Sequence, residues 1–236
     1  MKAKRSTELK KDATLLAIAW PDTWCKNAHS WYDPFLEYIG FSKDGFSPVG
    51  HAAFVLIQHD GKMLEYYDCG RYNSPEGKAM IRSSVHDESL TLFTEPVFEK
   101  KPELKLKNTT QILREVQNMP GNYSYGTTLH REFLVNYDRA KRIINKEINK
   151  GPQVYGPFHP LGTNCARFVV QVLRKSQNRG WLWQFQFFPS PLPSAITGHQ
   201  SLKTLLACHI RFKTSKCYKH PNKTIQNPSN PSIIEI

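Results

Sequence analysis

A predicted β-hairpin over residues 49–68 constrains the fold of this chain most strongly. Both halves of the segment are rich in β-branched and aromatic residues, which is typical of strands. Asp60-Gly61 in the middle is a frequent two-residue hairpin turn, because both residue types tolerate the positive φ that such a turn requires. The segment therefore predicts an antiparallel sheet, in a register that places Ala53 opposite Asp68.

That register also decides which side chains can meet, because side chains alternate between the two faces of a strand. His51 shares a face with Asp68 and lies diagonal to it, within reach of a hydrogen bond that would orient the imidazole ring. A slip of one residue would turn Asp68 to the other face and bring Glu65 or Tyr67 into its place. The alternative role for Asp68 is an ion pair with Arg71 at the end of the strand.

A second segment, residues 162–173, is predicted to be a loop that becomes a helix with a cysteine in its first turn. Thr163 and Asn164 are residue types that cap helices. An apolar stripe at helical spacing follows, formed by Ala166, Val169, Val170, Val172 and Leu173. Cys165 lies at the positive end of the helix dipole, which favours the nucleophilic thiolate. The structural alternative is a small buried hydrophobic residue at a helix start.

Together the two segments predict cysteine-dependent acyl chemistry. Cys165 would attack a carbonyl carbon, His51 would carry the proton, and Asp68 would orient His51. Backbone N–H groups beside Cys165 would stabilise the oxyanion. The substrate is predicted to contain an amide, ester or thioester; water as acceptor gives hydrolysis, and an amine or alcohol gives transfer. The residues predicted to bind substrate are Asn164, Tyr66, Arg71, Trp181 and Trp183.

These residues resemble the circularly permuted branch of the NlpC-type papain-like cysteine hydrolase superfamily, in which the histidine precedes the cysteine. The lecithin retinol acyltransferase relatives in that branch carry Asn-Cys-Glu-His-Phe-Val, which this chain matches at Asn164, Cys165, Phe168 and Val169. The resemblance implies a permuted papain-like α+β fold, with an antiparallel sheet packed against helices that include the cysteine-bearing helix. It also implies Cys165 as the nucleophile and His51 as the base.

The chain departs from that pattern at two points. Ala166 and Arg167 replace the Glu-His pair of the motif, which disfavours lipid acyl transfer more than it disfavours the Cys–His pair. The branch also carries a polar residue about a dozen positions after its first histidine, where this chain has Met63, so Asp68 is predicted as the third member instead. At residues 19–23, 68–72 and 155–158 the chain more closely resembles an uncharacterised bacterial family of the superfamily. No activity can be transferred from that family.

Length and composition fit one enzyme-sized domain. The chain has 236 residues, of which 39% are hydrophobic and 12% aromatic, and we predict a single domain over residues 13–212 that begins with a core strand. Further helices are predicted at about residues 32–39, 109–118 and 134–150, and a further strand at 89–93. The sequence contains no apolar run long enough for a membrane span, so we expect a cytoplasmic protein.

The net charge of +12 is concentrated at the two ends of the chain. Residues 1–11 carry five Lys or Arg against one Glu, and residues 211–236 carry the same numbers, so +4 of the +12 remains for the body. We predict basic flexible tails at residues 1–12 and 213–236, the second rich in Asn and Pro. Such tails attract polyanions weakly. Since no nucleic-acid-binding motif is visible, nucleic acid is not the expected partner.

Cysteine and histidine spacing favours neither a disulfide framework nor a metal site. The five cysteines are odd in number and contain no Cys-x-x-Cys pair. The nine histidines are scattered, without a His-x-x-x-His spacing. No metal or cofactor is therefore predicted.

An aromatic block followed by prolines, residues 180–193, leaves other functions open. It would either line a substrate wall or fill the core behind the cysteine helix. If the block is exposed, the protein would instead be a non-catalytic binding module that uses residues 181–188. A third alternative is weak polyanion binding through the basic tails. Substrate identity and oligomeric state stay open at this point.

Overall fold

A six-stranded antiparallel sheet forms the centre of the fold, and helices cover both of its faces. The computed structural model describes residues 10–27, 33–38, 46–47, 49–72, 74–99, 104–156 and 162–177. In chain order its elements are β1 (Ala13–Trp20), β2 (Cys25–Lys26), α1 (Asp33–Tyr38), β3 (Phe46–Ser47), β4 (His51–Gln58), β5 (Leu64–Gly70), β6 (Lys78–Ser83), a 3₁₀ turn (Glu88–Leu90), β7 (Phe98–Glu99), β8 (Lys105–Leu106), α2 (Thr109–Asn118), β9 (Leu129–Val135), α3 (Tyr137–Ile148), β10 (Gln153–Val154) and α4 (Cys165–Gln177).

Strand β1 is an interior strand of the sheet and neighbours the strand that carries His51. The strand order is β10-β6-β5-β4-β1-β9, so β1 pairs with β4 on one side and with β9 on the other. Every residue of β1 is buried. A strand that is apolar on both faces must be covered on both faces, and the predicted first core strand is confirmed.

Two apolar cores lie on opposite faces of the sheet. On one face α3 and α4 pack against β4 and β5, with the rings of Phe168 and Phe54 5.5 Å apart. On the other face α2 packs through Ile112 and Val116. Burial of Phe168 contributes about 1.5–3 kcal/mol relative to an exposed ring, and it anchors the first turns of α4 against the sheet. The predicted α+β class, with helices that include the cysteine-bearing helix packed on an antiparallel sheet, is confirmed.

The hairpin between β4 and β5 has the predicted register, with Ala53 opposite Asp68. The connection is longer than the predicted two-residue turn, since residues 59–63 lie outside both strands. His59 turns toward β1 instead and donates its N–H to the carbonyl oxygen of Asp12 at 3.0 Å. The ladder therefore ends early, but the alternation that places Asp68 on the face of His51 is preserved.

Two predicted elements differ from the observed ones. The strand predicted at 89–93 is wrong, because Asp87 accepts hydrogen bonds from the N–H and the hydroxyl of Ser89 and starts a 3₁₀ turn there. The helix predicted from residue 134 begins at Tyr137. Its first turn is capped by Asn136, whose side chain accepts the N–H of Arg139 at 3.0 Å, and the residues before the cap form β9.

The boundary predicted between the first tail and the domain, at residues 12 and 13, lies next to a residue that is bonded to the domain. Asp12, placed in the predicted tail, accepts the N–H of Tyr137 through Oδ1 at 2.9 Å and is thus bonded to the body. Residues 1–9 and 178–236 lie outside the described residues, and with them the second predicted tail, the aromatic block, Trp181 and Trp183. Within the described ranges, the helices are too short or too polar for any of them to cross a membrane.

Candidate active site

Cys165 is the first residue of α4, and its side chain is buried at the end of the sheet. Asn164 caps the helix: its Oδ1 accepts the N–H of Arg167 at 2.8 Å, and its carbonyl oxygen accepts that of Phe168 at 3.0 Å. The hydroxyl of Tyr155 lies 4.0 Å from the Cys165 Sγ. The local sequence thus delivers the cysteine to a helix N-terminus, where backbone N–H groups lack helical partners and stabilise negative charge.

His51 is the first residue of β4 and is held by its neighbours on β1. Its ring stacks on that of Trp20, with centroids 6.0 Å apart and an angle of 17° between the planes. Trp20 is fixed in turn by Gln117, whose Oε1 accepts the indole N–H at 2.7 Å. Gly50, just before His51, has a φ of +75°, and a Cβ there would lie 2.8 Å from the carbonyl oxygen of Trp20. Glycine is therefore required for β4 to begin so close to β1.

Asp68 lies on β5 beside His51, as the predicted register requires. Its Oδ2 is 3.6 Å from His51 Nε2 and accepts hydrogen bonds from the hydroxyls of Tyr66 at 3.1 Å and Tyr72 at 3.0 Å. The Tyr72 hydroxyl is also 3.3 Å from His51 Nε2. Asp68 and His51 are both buried, so the carboxylate is shielded from water and interacts strongly with these partners.

The cation that pairs with Asp68 is Arg82, which lies directly opposite it on β6. The guanidinium is bidentate, with Nε 3.1 Å from Oδ1 and Nη2 2.6 Å from Oδ2. The alternative pairing with Arg71 is wrong, because Arg71 donates to the carbonyl oxygen of Asn27 at 2.7 Å and lies over the ring of Tyr155. A buried carboxylate needs such a partner, and the adjacent strand supplies it.

The charges of the site favour an imidazolium. Burial lowers the pKa of His51, but the polar contacts and negative charges of Asp68 and Cys165 outweigh this effect and raise the pKa from 6.5 to about 9. Burial raises the pKa of Asp68, but the polar contact with His51 and the charge and hydrogen bonds of Arg82 outweigh this effect and lower the pKa to about 2. Protonated His51 and Arg82 thus place two positive charges beside the single negative charge of Asp68.

The two nitrogens of His51 have different surroundings. Nε2 faces Asp68 and Tyr72, whereas the buried Nδ1 has no hydrogen-bond partner among the described residues. Nδ1 is therefore the nitrogen left to exchange a proton with Cys165. Cys165 interacts with the His51 ring and raises its pKa.

Two further cysteines near the site differ from Cys165 electrostatically. Cys25 and Cys69 are buried, and burial, reinforced by the negative charge of Cys165, raises the pKa of both thiols. Cys25 Sγ also donates to the carbonyl oxygen of Gly50 at 3.3 Å, which holds its proton in place. Both side chains are therefore thiols at neutral pH and poor nucleophiles.

The residues predicted to bind substrate occupy different positions. Tyr66 is fully buried beneath Asp68, so it supports the carboxylate and does not face substrate as predicted. Asn164 is buried and serves as the helix cap. Arg71 lies over the ring of Tyr155, whose hydroxyl is 4.0 Å from the Cys165 Sγ, and Trp181 and Trp183 lie outside the described residues.

Three contributors to the site were not predicted from the sequence: Arg82, Tyr72 and Trp20. Arg82 reaches Asp68 only through the β5–β6 pairing, and that strand carries no local signal for it. Tyr72 follows β5 by two residues and turns back over the site, with the Arg82 guanidinium 3.3 Å from its ring centroid. Such juxtapositions leave no periodic pattern in the sequence.

Among the described residues no cluster of His, Cys, Asp or Glu could hold a metal ion.

The fold and the site together define an α+β protein with a candidate thiol–imidazole centre, in which the histidine precedes the cysteine. Residues 15–181 match the family described as "Type VI secretion system effector TseH-like", and the chain belongs to this family.

A solved structure similar to this chain is the crystal structure of the type VI secretion system effector TseH. It is 18% identical, with a TM-score of 0.40, and the similarity covers 72% of this chain and 80% of that one. No curated protein matches the chain.

Proposed function

We propose that this protein is a cysteine-dependent hydrolase or acyl transferase of permuted papain-like type, acting on an amide, ester or thioester. The observation that carries the proposal is the buried cluster of Cys165 at the start of α4, His51 at the start of β4 and Asp68 on β5, with Asp68 Oδ2 3.6 Å from His51 Nε2. The surroundings of His51 also raise its pKa to about 9. Because this pKa lies above neutral pH, His51 is an imidazolium there and can serve as the general acid for a Cys165 nucleophile.

The chemistry follows from the two ring nitrogens of His51. The Cys165 thiolate adds to the carbonyl carbon, and backbone N–H groups at the start of α4 stabilise the oxyanion. His51 then donates the Nδ1 proton to the departing amine, alcohol or thiol, which leaves an acyl-enzyme. In the second half, neutral Nδ1 takes a proton from water, and the hydroxide adds to the thioester and releases the acid and the Cys165 thiolate. An amine or alcohol in place of water gives transfer.

The arrangement differs from that of a structural cluster in one respect. A structural ion pair needs one cation per anion, and Arg82 already pairs with Asp68 through two hydrogen bonds. His51 is a second buried cationic group beside the same carboxylate, and Cys165 is a further group that raises its pKa. Since free thiols are usually inert when buried, a thiol that raises the pKa of an adjacent imidazole supports a catalytic role.

Membership of a secretion-effector family supports action after export from the producing cell. The cytoplasm is then the place of synthesis, and the substrate belongs to the recipient. Arg71, beside Tyr155 and the thiol, is proposed to contact substrate. The alternatives of a binding module and of polyanion binding depend on residues 181–188 and on the tails, which, apart from residues 10–12, lie outside the described residues.

The test is the pH dependence of alkylation at each cysteine, measured by peptide mass spectrometry in wild type and in His51→Ala. We expect Cys165 to react with iodoacetamide well below the pH of about 8.5 at which an ordinary thiol does, and His51→Ala to remove that advantage. Cys25 and Cys69 are internal controls, since burial raises the pKa of both. A Cys165 that reacts like these two, or equally well without His51, would contradict the proposal. An amide and ester library, with Cys165→Ala as the blank, then identifies the substrate class.

A further inference from the structure

Asp68 is too crowded to bind His51 directly. Its Oδ2 accepts Arg82 Nη2 at 2.6 Å and the hydroxyls of Tyr72 and Tyr66 at 3.0 and 3.1 Å. A carboxylate oxygen offers about two lone-pair directions, and three donors exhaust them. His51 Nε2 accordingly stays 3.6 Å away from Oδ2, beyond hydrogen-bond distance.

Tyr72 fills the gap between the two groups. Its hydroxyl oxygen is 3.0 Å from Asp68 Oδ2 and 3.3 Å from His51 Nε2. The ring is buried, meets the imidazole edge-on at 87°, and lies under the Arg82 guanidinium, 3.3 Å from the ring centroid. The aromatic ring is therefore fixed from two sides, and its hydroxyl cannot swing away from either partner without displacing Arg82.

The protonation states of Tyr72 and Asp68 fix the direction of the hydrogen bonds that link Asp68, Tyr72 and His51. Burial and the charge of Asp68 raise the pKa of Tyr72 well above 10, so the hydroxyl keeps its single proton. Asp68 is a carboxylate, because its pKa is lowered to about 2, so it can only accept. The Tyr72 proton therefore points to Asp68, and the Tyr72 oxygen presents a lone pair to His51. Nε2 must then be the donor and carry a proton.

We propose that Tyr72 is the positioning residue that links Asp68 to His51 and holds the neutral ring in the tautomer with its proton on Nε2. Nδ1 is then the unprotonated nitrogen, which can act as a base and accept the proton of Cys165. This inference rests on the proposed function for its consequence, but the tautomer itself does not depend on any substrate. The titratable groups that contact His51 are Asp68 and Tyr72, and Cys165 also affects its protonation.

Tyr66 supplies a matched control. Its hydroxyl donates to the same Asp68 oxygen at 3.1 Å, so Tyr66→Phe and Tyr72→Phe each remove one donor from that carboxylate. They differ in that the Tyr72 hydroxyl also contacts His51. Any effect on His51 that Tyr72→Phe shows and Tyr66→Phe does not must come from that contact.

The experiment reads the ring nitrogens of His51 by long-range ¹H–¹⁵N NMR, at a pH above the His51 pKa, in full-length protein carrying Cys165→Ala. The expected result is the Nε2–H tautomer in this parent protein and with added Tyr66→Phe, and a shift toward Nδ1–H with added Tyr72→Phe. An Nδ1–H tautomer in the parent would overturn the proposal without any Tyr variant. So would an Nε2–H tautomer that survives Tyr72→Phe.

A second readout uses the thiol itself. In protein that retains Cys165, we expect Tyr72→Phe to slow His51-dependent alkylation of Cys165 about tenfold, the effect of losing one hydrogen bond to a charged group. Tyr66→Phe should slow it less, and thermal melting should show that both variants are folded. Equal rates in the two variants would contradict the role of Tyr72. A wild-type Cys165 that is independent of His51 would instead contradict the proposed function and leave the tautomer result standing.

Discussion

Strand β5 carries two buried carboxylates three residues apart, and they belong to clusters of opposite character. Glu65 accepts the hydroxyls of Tyr67 and Tyr137 and pairs with Lys141, so one anion meets one cation and two hydroxyls. Asp68, on the other face, also meets two tyrosine hydroxyls and one cation. The two carboxylates thus start from the same chemistry.

The Asp68 cluster differs from the Glu65 cluster in two additional groups, an imidazole and a thiol. The Glu65 cluster joins α3 to the sheet, and its one anion is paired with its one cation, Lys141. The Asp68 cluster has a second cationic group, His51, whose Nδ1 faces no hydrogen-bond partner among the described residues, and a thiol at a helix N-terminus. A closed cluster stabilises a fold, whereas a cluster with an unsatisfied titratable atom can exchange a proton with a substrate.

The largest expected effect is on turnover, which should depend on the Asp68 cluster and not on the Glu65 cluster. Cys165→Ala should reduce turnover of a cognate substrate to background, and His51→Ala should reduce it by about 10²–10⁴-fold, because the general acid and base are lost. Lys141→Met, which breaks the Glu65 cluster, should leave turnover near the wild-type level. Measurement of kcat for the three variants, with melting curves, checks the contrast. Comparable losses in Lys141→Met and His51→Ala would mean that the clusters are not functionally distinct.

The next effect concerns stability. Asp68→Asn leaves Arg82 buried with a neutral partner and should lower the free energy of unfolding by about 3–5 kcal/mol. Glu65→Gln should cost less, about 1–2 kcal/mol, since a quarter of the Lys141 side chain is exposed to water. Urea unfolding of both variants measures the difference. A larger loss for Glu65→Gln would reverse the ranking.

The clusters should also respond at opposite ends of the pH scale. The folded pKa of His51, about 9, lies above its ordinary value of 6.5, so its contribution to stability is complete below pH 6.5 and is lost as the pH rises through 9. Burial raises the pKa of Glu65, but hydrogen bonds from Lys141, Tyr137 and Tyr67 outweigh it and lower the pKa below 4.5. Its contribution is present above pH 4.5 and is lost as the pH falls further.

Unfolding free energies measured from pH 3 to pH 10 test this. His51→Gln should flatten the alkaline limb of the profile, and Glu65→Gln should reduce the acid limb, which Asp68 also shapes. An alkaline limb that is unchanged in His51→Gln would show that the imidazole is not held as a cation in the folded protein.

The same strand shows how far the sequence could predict the site. The alternation in residues 49–68 and the turn signal at Asp60-Gly61 were sufficient for the register, and hence for the choice of Asp68 over Glu65. The cap and apolar stripe predicted the helix that carries Cys165. All of these signals are local, with partners a few residues apart or across one hairpin.

The contributors that were missed come from pairings without a local signal. Arg82 lies opposite Asp68 only because β6 pairs with β5 after a seven-residue connection, residues 71–77. The strand β9 was hidden because the apolar residues before α3 extend its helical pattern, and the cap at Asn136 divides them. Trp20 was assigned to a core strand, but its stacking on His51 depends on the β1–β4 register, which two distant segments set together.

The central claim is that Cys165 and His51 form a charged pair. The most direct measurement is an NMR titration of the His51 ring in wild type and in Cys165→Ala. We expect a pKa of about 9 in wild type and a lower pKa in Cys165→Ala, because the contribution of Cys165 is removed while Asp68 remains. A His51 that titrates near 6.5 in both proteins would contradict the pair.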